Sequence, residues 1–140
     1  MTAHLAPYLT VLGNAREAME FYRDAVGGEL RITTTGEMGV ELPGHGPDTV
    51  MHADLTLPGG MRLYAADDCA DTGTSAQGVA VSLFGEAADA QRLTGWFDRL
   101  GEGGTVQMPM APQMWGDTFG SLVDRFGVVW MVNIAGLPDA

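Results

Sequence analysis

Short apolar runs that end at a glycine open each half of the chain. Pro7-Tyr8-Leu9-Thr10-Val11-Leu12 precedes Gly13, and Val79-Ala80-Val81-Ser82-Leu83-Phe84 precedes Gly85, at a spacing of 72 residues. Both runs predict short buried strands. Beyond each glycine the apolar period lengthens to that of a helix. Ala15 to Val26 carries Ala18, Met19, Tyr22 and Val26 on one stripe, with Asn14 placed to cap it. Ala87 to Leu100 carries Ala90, Leu93, Trp96, Phe97 and Leu100. Gly27-Gly28 and Gly103-Gly104 close the two helices at a spacing of 76, so the second copy is longer by four residues. That is about one helical turn, which keeps the buried stripe in phase.

The ends of the halves correspond at a spacing of 67: Gly60 with Gly127, Leu55 with Leu122, Leu63 with Trp130 and Tyr64 with Met131. Each end predicts a β-hairpin. In the first, His52 to Leu57 and Met61 to Ala65 alternate around a three-residue turn, Pro58-Gly59-Gly60. Opposing Leu57 to Met61 sets Leu55 beside Leu63 on one face and Asp54 beside Tyr64 on the other, whereas a two-residue turn mixes polar and apolar residues on both. Glu29 to Thr35 and Thr105 to Met110 supply the strands between helix and hairpin. The Gly- and Pro-rich stretch Glu37 to Asp48 reads as a long mobile loop, and Trp115-Gly116 falls in the loop before the last hairpin. The expected organisation is a single domain over 1–140 built as a duplicated βαβββ, with module one at about 3–68, a linker at about 69–77 and module two at about 78–135.

Composition narrows the function classes. With 140 residues the chain suits one domain, and 18 acidic against 7 basic residues leave a formal charge of −11. Every basic residue is Arg, so Schiff-base chemistry and the Walker lysine are excluded, and a polyanionic nucleic acid is a poor partner. Cys69 is the single cysteine, which rules out an internal disulfide and a cysteine zinc cluster. No apolar run reaches the roughly 18 residues that span a bilayer, and no basic segment precedes an apolar stretch at the N-terminus, so the expectation is a cytoplasmic protein without a membrane partner. Ser75, Ser82 and Ser121 lack the setting of a nucleophile elbow, and no strand-GxGxxG-helix arrangement is present.

The duplication resembles the vicinal oxygen chelate superfamily, the glyoxalase and bleomycin-resistance fold, and more narrowly its PhnB-like branch. The resemblance is carried by PYLTVLGNAREAMEFYRDAVGGEL at 7–30, HADLTLPGG at 52–60 and GGTVQMPMAPQMWGDTFGSLVDRFGVVWMVNI at 103–134. It implies an α+β fold in which paired βαβββ modules form a cupped mixed β-sheet with helices on the outer face, and it implies a homodimer. Metal-dependent members resemble one another in placing His, Glu or Gln on the first and last strand of each module. Here those positions fall on Pro7, Tyr64, Val79 and Met131, none of them a suitable ligand for a divalent ion. His4 lies an odd number of residues from Pro7 and is expected to point away from the cup, and His45 reads as a solvated loop residue. PhnB-like sequences are often labelled demethylubiquinone methyltransferases, yet the chain has no glycine-rich βαβ unit to hold S-adenosylmethionine.

Parity puts His52, Asp54, Thr56, Arg62 and Tyr64 on the cup face of the first hairpin, and Phe119, Ser121, Val123, Val129, Met131 and Asn133 on that of the last. One wall is polar, the other mostly apolar, which suits an amphiphilic organic molecule. Trp115, Met108 and Met110 are placed at its mouth as flat or polarizable surface. The alternative reading of the polar set is a network in which Asp54, Arg62 and Tyr64 satisfy one another. His52 is the candidate general base, although Asp54 stands roughly 7 Å away along the strand. The expected function is therefore metal-free and cofactor-free binding of a small amphiphilic or cationic compound, possible sequestration included. The competing readings are a metal-dependent lyase, isomerase or dioxygenase of glyoxalase type, and a regulatory domain with a filled cup.

Overall fold

The structure is a computed structural model that describes residues 5–69 and 80–136, divided into two compact units, residues 1–77 and 78–140. In the first unit β1 (Tyr8–Val11), α1 (Ala15–Val26), β2 (Glu29–Thr34), a short helix α2 (Thr35–Met38), β3 (Val50–Thr56) and β4 (Arg62–Asp67) follow in order. The strands form one sheet in the order β1-β4-β3-β2, with β1 and β4 parallel and the other pairs antiparallel. Helix α1 lies against β3, β2 and β4. Its stripe is the predicted one: Ala18, Met19 and Tyr22 are fully buried and Val26 nearly so, over Ala53, Leu55, Leu63 and Ala65. Each large apolar side chain so buried contributes about 1.5–3 kcal/mol. The hairpin takes the predicted register, Leu55 opposite Leu63 and Asp54 opposite Tyr64, with the Leu57 N–H donating to the Met61 carbonyl at 2.8 Å.

Three local features differ from the sequence reading. Asn14 makes no side-chain cap; the Asp67 carboxylate takes the first helical N–H, that of Ala15, at 2.9 Å and the Val50 N–H at 2.9 Å. A carboxylate at a helix N-terminus satisfies an orphan donor and opposes the helix dipole. The stretch expected to be loop begins as α2, where the Thr34 hydroxyl accepts the Glu37 N–H at 3.2 Å. The rest of that loop is tied back by the Thr35 hydroxyl to the Gly46 carbonyl at 2.8 Å and by the Gly36 N–H to the Pro47 carbonyl at 2.9 Å.

The second unit repeats the plan with β5 (Ala80–Gly85), a 3-10 turn (Ala87–Asp89), α3 (Ala90–Leu100), β6 (Thr105–Pro112), β7 (Thr118–Val123) and β8 (Val129–Ile134), in the order β5-β8-β7-β6. Leu93, Trp96, Phe97 and Leu100 of α3 are buried, and α3 packs on β8 and β5. Strand β6 runs two residues past its predicted end and carries two register shifts against β7. The hairpins of the two units close alike: the Asp124 N–H donates to the Val128 carbonyl at 2.9 Å as Leu57 does to Met61, and Gly60 and Gly127 both have φ 86°, although the first turn has a second left-handed glycine, Gly59 (φ 87°), where the second has Phe126. Asp124 stands where the first unit has Leu57. It is 3% exposed and accepts from the N–H groups of Phe126 (2.8 Å) and Val128 (3.1 Å) and from Trp130 Nε1 (2.8 Å).

The opening strands correspond less simply. Tyr8 is the partner of Tyr64 and Ser82 that of Met131, and the Asp68 N–H donates to Val11 as the Ala135 N–H does to Gly85. Their spacing is therefore 74, not the 72 that the glycines suggest. The 3-10 turn ahead of α3 has no counterpart before α1, so Gly13 and Gly85 are not equivalent positions.

Candidate functional site

The face of the first sheet turned away from α1 is set by strand alternation. Leu9, Val11, Ala53, Leu55, Leu63 and Ala65 are buried on the helix side, which leaves Tyr8, Thr10, His52, Asp54, Thr56, Arg62 and Tyr64 on the other. The pairings align these in rows: Tyr8, Tyr64, Asp54 and Arg31 across the middle, with Thr10, Ala66, His52 and Thr33 beside them. All five residues expected on this face of the hairpin, His52, Asp54, Thr56, Arg62 and Tyr64, share it. Tyr8 joins them, and Pro7 does not take the place expected for the first strand: its carbonyl accepts the Tyr64 N–H at 3.0 Å, and it precedes the strand. His4, expected to point away from the cup, lies outside the described residues.

Within this face the polar groups sort into two sets. Asp54 accepts from Arg62 Nη1 at 3.2 Å and from the Thr56 hydroxyl at 3.2 Å. Its carboxylate is therefore engaged away from His52. The partner of His52 is Tyr8, whose hydroxyl lies 3.0 Å from Nδ1. With Nδ1 as acceptor the phenol donates, and the ring proton of neutral His52 sits on Nε2. Burial, with a smaller contribution from Cys69, pushes the Tyr8 hydroxyl above its ordinary value, so it stays a protonated donor. The rings of Tyr8, His52 and Tyr64 are mutual neighbours, with centroids 5.6 Å (Tyr8 to His52), 6.0 Å (Tyr8 to Tyr64) and 5.2 Å (His52 to Tyr64) apart and tilted by 40–59°.

The corresponding face of the second sheet carries serines and thioethers where the first carries phenols and charged groups. Ser82, Met131, Ser121 and Met108 form the row that matches Tyr8, Tyr64, Asp54 and Arg31, and Phe84, Asn133, Phe119 and Ala111 form the next. Phe84 is 79% exposed and was not singled out by the sequence, because its strand was read one residue out of phase. Trp115 sits on the β6–β7 turn and meets Phe119 edge-on at 6.3 Å. Asp117 accepts from Asn133 Nδ2 at 3.0 Å and from the Gly136 N–H at 2.9 Å, and these two donors, Asn133 foremost, hold its carboxyl below the usual range.

Neither sheet face offers a donor set suited to a divalent ion. The expected positions Tyr64 and Met131 do lie on these faces, but the first-strand residues in row with them are Tyr8 and Ser82; Val79 falls outside the described residues. Phenols, a hydroxyl and a thioether bind zinc or hard divalent ions poorly, and among the described residues no three His, Cys, Asp or Glu side chains cluster. A methyl donor of the S-adenosylmethionine type fits no better. In each unit the parallel strands are separated in sequence by two further strands as well as helix, and the residue at the N-terminus of α1 is already capped by Asp67. The glycine-rich strand-to-helix cradle that such a cofactor takes is absent among the described residues.

Comparison with known proteins adds the family. Residues 3–133 match the family model described as 3-demethylubiquinone-9 3-methyltransferase. Protein PA1353 from Pseudomonas aeruginosa is 38% identical, with 97% of this chain and 100% of that one covered at a TM-score of 0.78. Protein YjdN from Escherichia coli (strain K12) is 28% identical over 93% of this chain and 94% of its own length. The PhnB protein from Bacillus cereus is 23% identical over 95% of this chain and 100% of that one, with a TM-score of 0.73. At 14% identity, a glyoxylase/bleomycin resistance protein/dioxygenase domain from Frankia sp. EAN1pec shares the fold, covering 99% and 95% at a TM-score of 0.66. The chain thus belongs to the PhnB-like family that carries the 3-demethylubiquinone-9 3-methyltransferase description, on the glyoxalase/bleomycin-resistance fold.

Proposed function

We propose that this protein binds a small amphiphilic or cationic organic molecule on the open faces of its sheets, without a metal ion, and sequesters it. The observation that carries the reading is the contrast between matched rows: Tyr8, Tyr64, Asp54 and Arg31 in the first sheet against Ser82, Met131, Ser121 and Met108 in the second. Each face by itself combines hydrogen-bonding groups with aromatic or thioether contact area, which suits an amphiphile. Asp54, Arg62, Asn133 and Ser121 supply hydrogen-bonding groups, while Met108, Trp115, Phe119 and Met131 supply contact area. The charge of −11 draws cations toward the surface. The name of the Frankia relative, which includes bleomycin resistance, is in keeping with sequestration. The reading includes a homodimer, the commonest closed assembly, residing in the cytoplasm.

The test is a thermal-shift screen against cationic and neutral amphiphiles on metal-depleted protein. A ligand at about 100 times its Kd stabilises the native state by about 2.7 kcal/mol and raises Tm by about 5–10 °C. Melting unmoved by every compound supports the filled regulatory domain instead. Stoichiometric zinc, nickel, manganese or iron in protein purified without chelator overturns the metal-free reading in favour of a glyoxalase-type lyase, isomerase or dioxygenase.

A further inference from the structure

We propose that Tyr8, His52 and Tyr64 form an aromatic platform for a flat organic cation, a quaternised fused heteroarene being the chemical class. This rests on the small-molecule reading above and places the cation on the first sheet's face. Three rings on three strands meet here, Tyr8 from β1, Tyr64 from β4 and His52 from β3, each within 6.0 Å of the others. The phenol faces carry negative quadrupole charge, which attracts a cation lying over them. Because the rings are tilted by 40–59° to one another, a planar cation stacks on one phenol and is met edge-on by the others, contact that an ammonium alone does not make.

The platform is assembled before any ligand arrives. The 3.0 Å bond between the Tyr8 hydroxyl and Nδ1 of His52 fixes two of the rings, and ring contacts fix Tyr64 against both. Fewer rotamers are then left to freeze on binding. It is also accessible: Tyr8 is 51% exposed, and His52 and Tyr64 are half-buried. The residues beside His52 in its row, Ala66 and Thr33, with Thr10 beyond, are small and leave the ring faces uncrowded. The neighbouring Arg62 is held by Asp54, so its charge is compensated and does not repel a cation at the rings. A protonated Tyr8 keeps the hydrogen bond in place around neutral pH.

The experiment is calorimetric titration of the full chain at pH 8 with 1-methylquinolinium, its neutral shape-match 1-methylnaphthalene, and tetramethylammonium as a cation without a plane. The expected result is that methylquinolinium binds at least about fivefold more tightly than either. Tyr8→Leu and Tyr64→Leu each weaken it by about 5- to 30-fold, while Tyr8→Phe stays within about threefold. Met38→Leu, exposed on α2, leaves the affinity unchanged, and circular dichroism checks that each variant is folded. Tyr8 lies half-exposed on an edge strand, so Tyr8→Leu carries the test if Tyr64→Leu does not fold. Equal affinity for the neutral arene, or binding lost with Trp115→Leu and retained with Tyr8→Leu, overturns the platform and leaves the small-molecule reading standing. If no probe binds while other amphiphiles raise Tm, the platform alone is overturned; if nothing binds or stabilises, both are.

Discussion

Replacing Asp124 with alanine is expected to destabilise the protein more than any other single change to a polar residue of the second unit. The carboxylate is 3% exposed and accepts three hydrogen bonds, from two N–H groups of its own turn and from Nε1 of Trp130, itself 2% exposed. The Phe126 amide is partly accessible and can recover a water, so its loss costs little. The Val128 amide and the Trp130 indole are buried and cannot. An abandoned buried donor costs about 1–3 kcal/mol, and two of them, with the loss of turn geometry, give about 3–5 kcal/mol. For a chain of this size that lowers Tm by roughly 10–15 °C. The assay is urea denaturation of the wild type, Asp124→Ala, Trp130→Phe and the double variant. Because Trp130→Phe removes the indole donor, the cycle should return a coupling of about 1–3 kcal/mol. A coupling near zero, or an Asp124→Ala loss below about 1 kcal/mol, refutes the claim that this carboxylate organises the turn.

Asp117, whose carboxyl is held below its usual pKa by Asn133 and Gly136, contributes stability that is fully present above the ordinary carboxylate range and is lost as pH falls through the lowered folded value. Carbon-13 NMR titration should find its midpoint below 3.8, the unperturbed value, and Asn133→Ala should raise it; a midpoint unmoved by that change counts against the assignment. Gly60 and Gly127 share φ 86° with nothing within 4 Å of an added Cβ, so alanine at either should cost about 1–2 kcal/mol from backbone conformation alone. Chemical denaturation giving unequal costs would show that the two turns are not equivalent. Arg62→Ala removes a partly exposed pair with Asp54, and its effect on stability should stay below about 1 kcal/mol by the same measurement.

The helix-facing half of each sheet was legible because burial imposes a period. The stripe Ala18, Met19, Tyr22, Val26 and the register of Leu55 on Leu63 follow from apolar spacing, and each appears where that spacing puts it. What the sequence hid depends on partners distant in the chain. Nothing near Asn14 announces that its capping role passes to Asp67, which takes the N–H of Ala15 from 52 residues along the chain. Tyr8 was hidden because the first-strand position implied by the family resemblance falls on Pro7, which precedes the strand and is of opposite parity; the two-residue difference between spacings of 72 and 74 leaves parity unchanged. Asp124 did leave a signal. At the hairpin spacing it occupies the place of Leu57, 7% exposed, and a carboxylate in such a place must find donors within the turn. Asp54 turns to Thr56 and Arg62, in keeping with its distance from His52 along the strand, and the imidazole meets Tyr8 across the sheet.

The two units show how a repeated backbone separates folding from recognition. Their hairpin turns close with the same N–H to carbonyl bond and the same left-handed glycine, yet one is filled by a buried leucine and the other by a buried, fully engaged aspartate. Either solution preserves the strand register, so the turn tolerates a change of chemistry provided burial and hydrogen bonding are both satisfied. The faces away from the helices answer to a weaker constraint. A side chain there must only stand on its strand without clashing, and so Tyr64 and Asp54 in one sheet correspond to Met131 and Ser121 in the other without disturbing a single pairing. The faces away from the helices therefore accept a change of side-chain chemistry at little cost to the strand pairings.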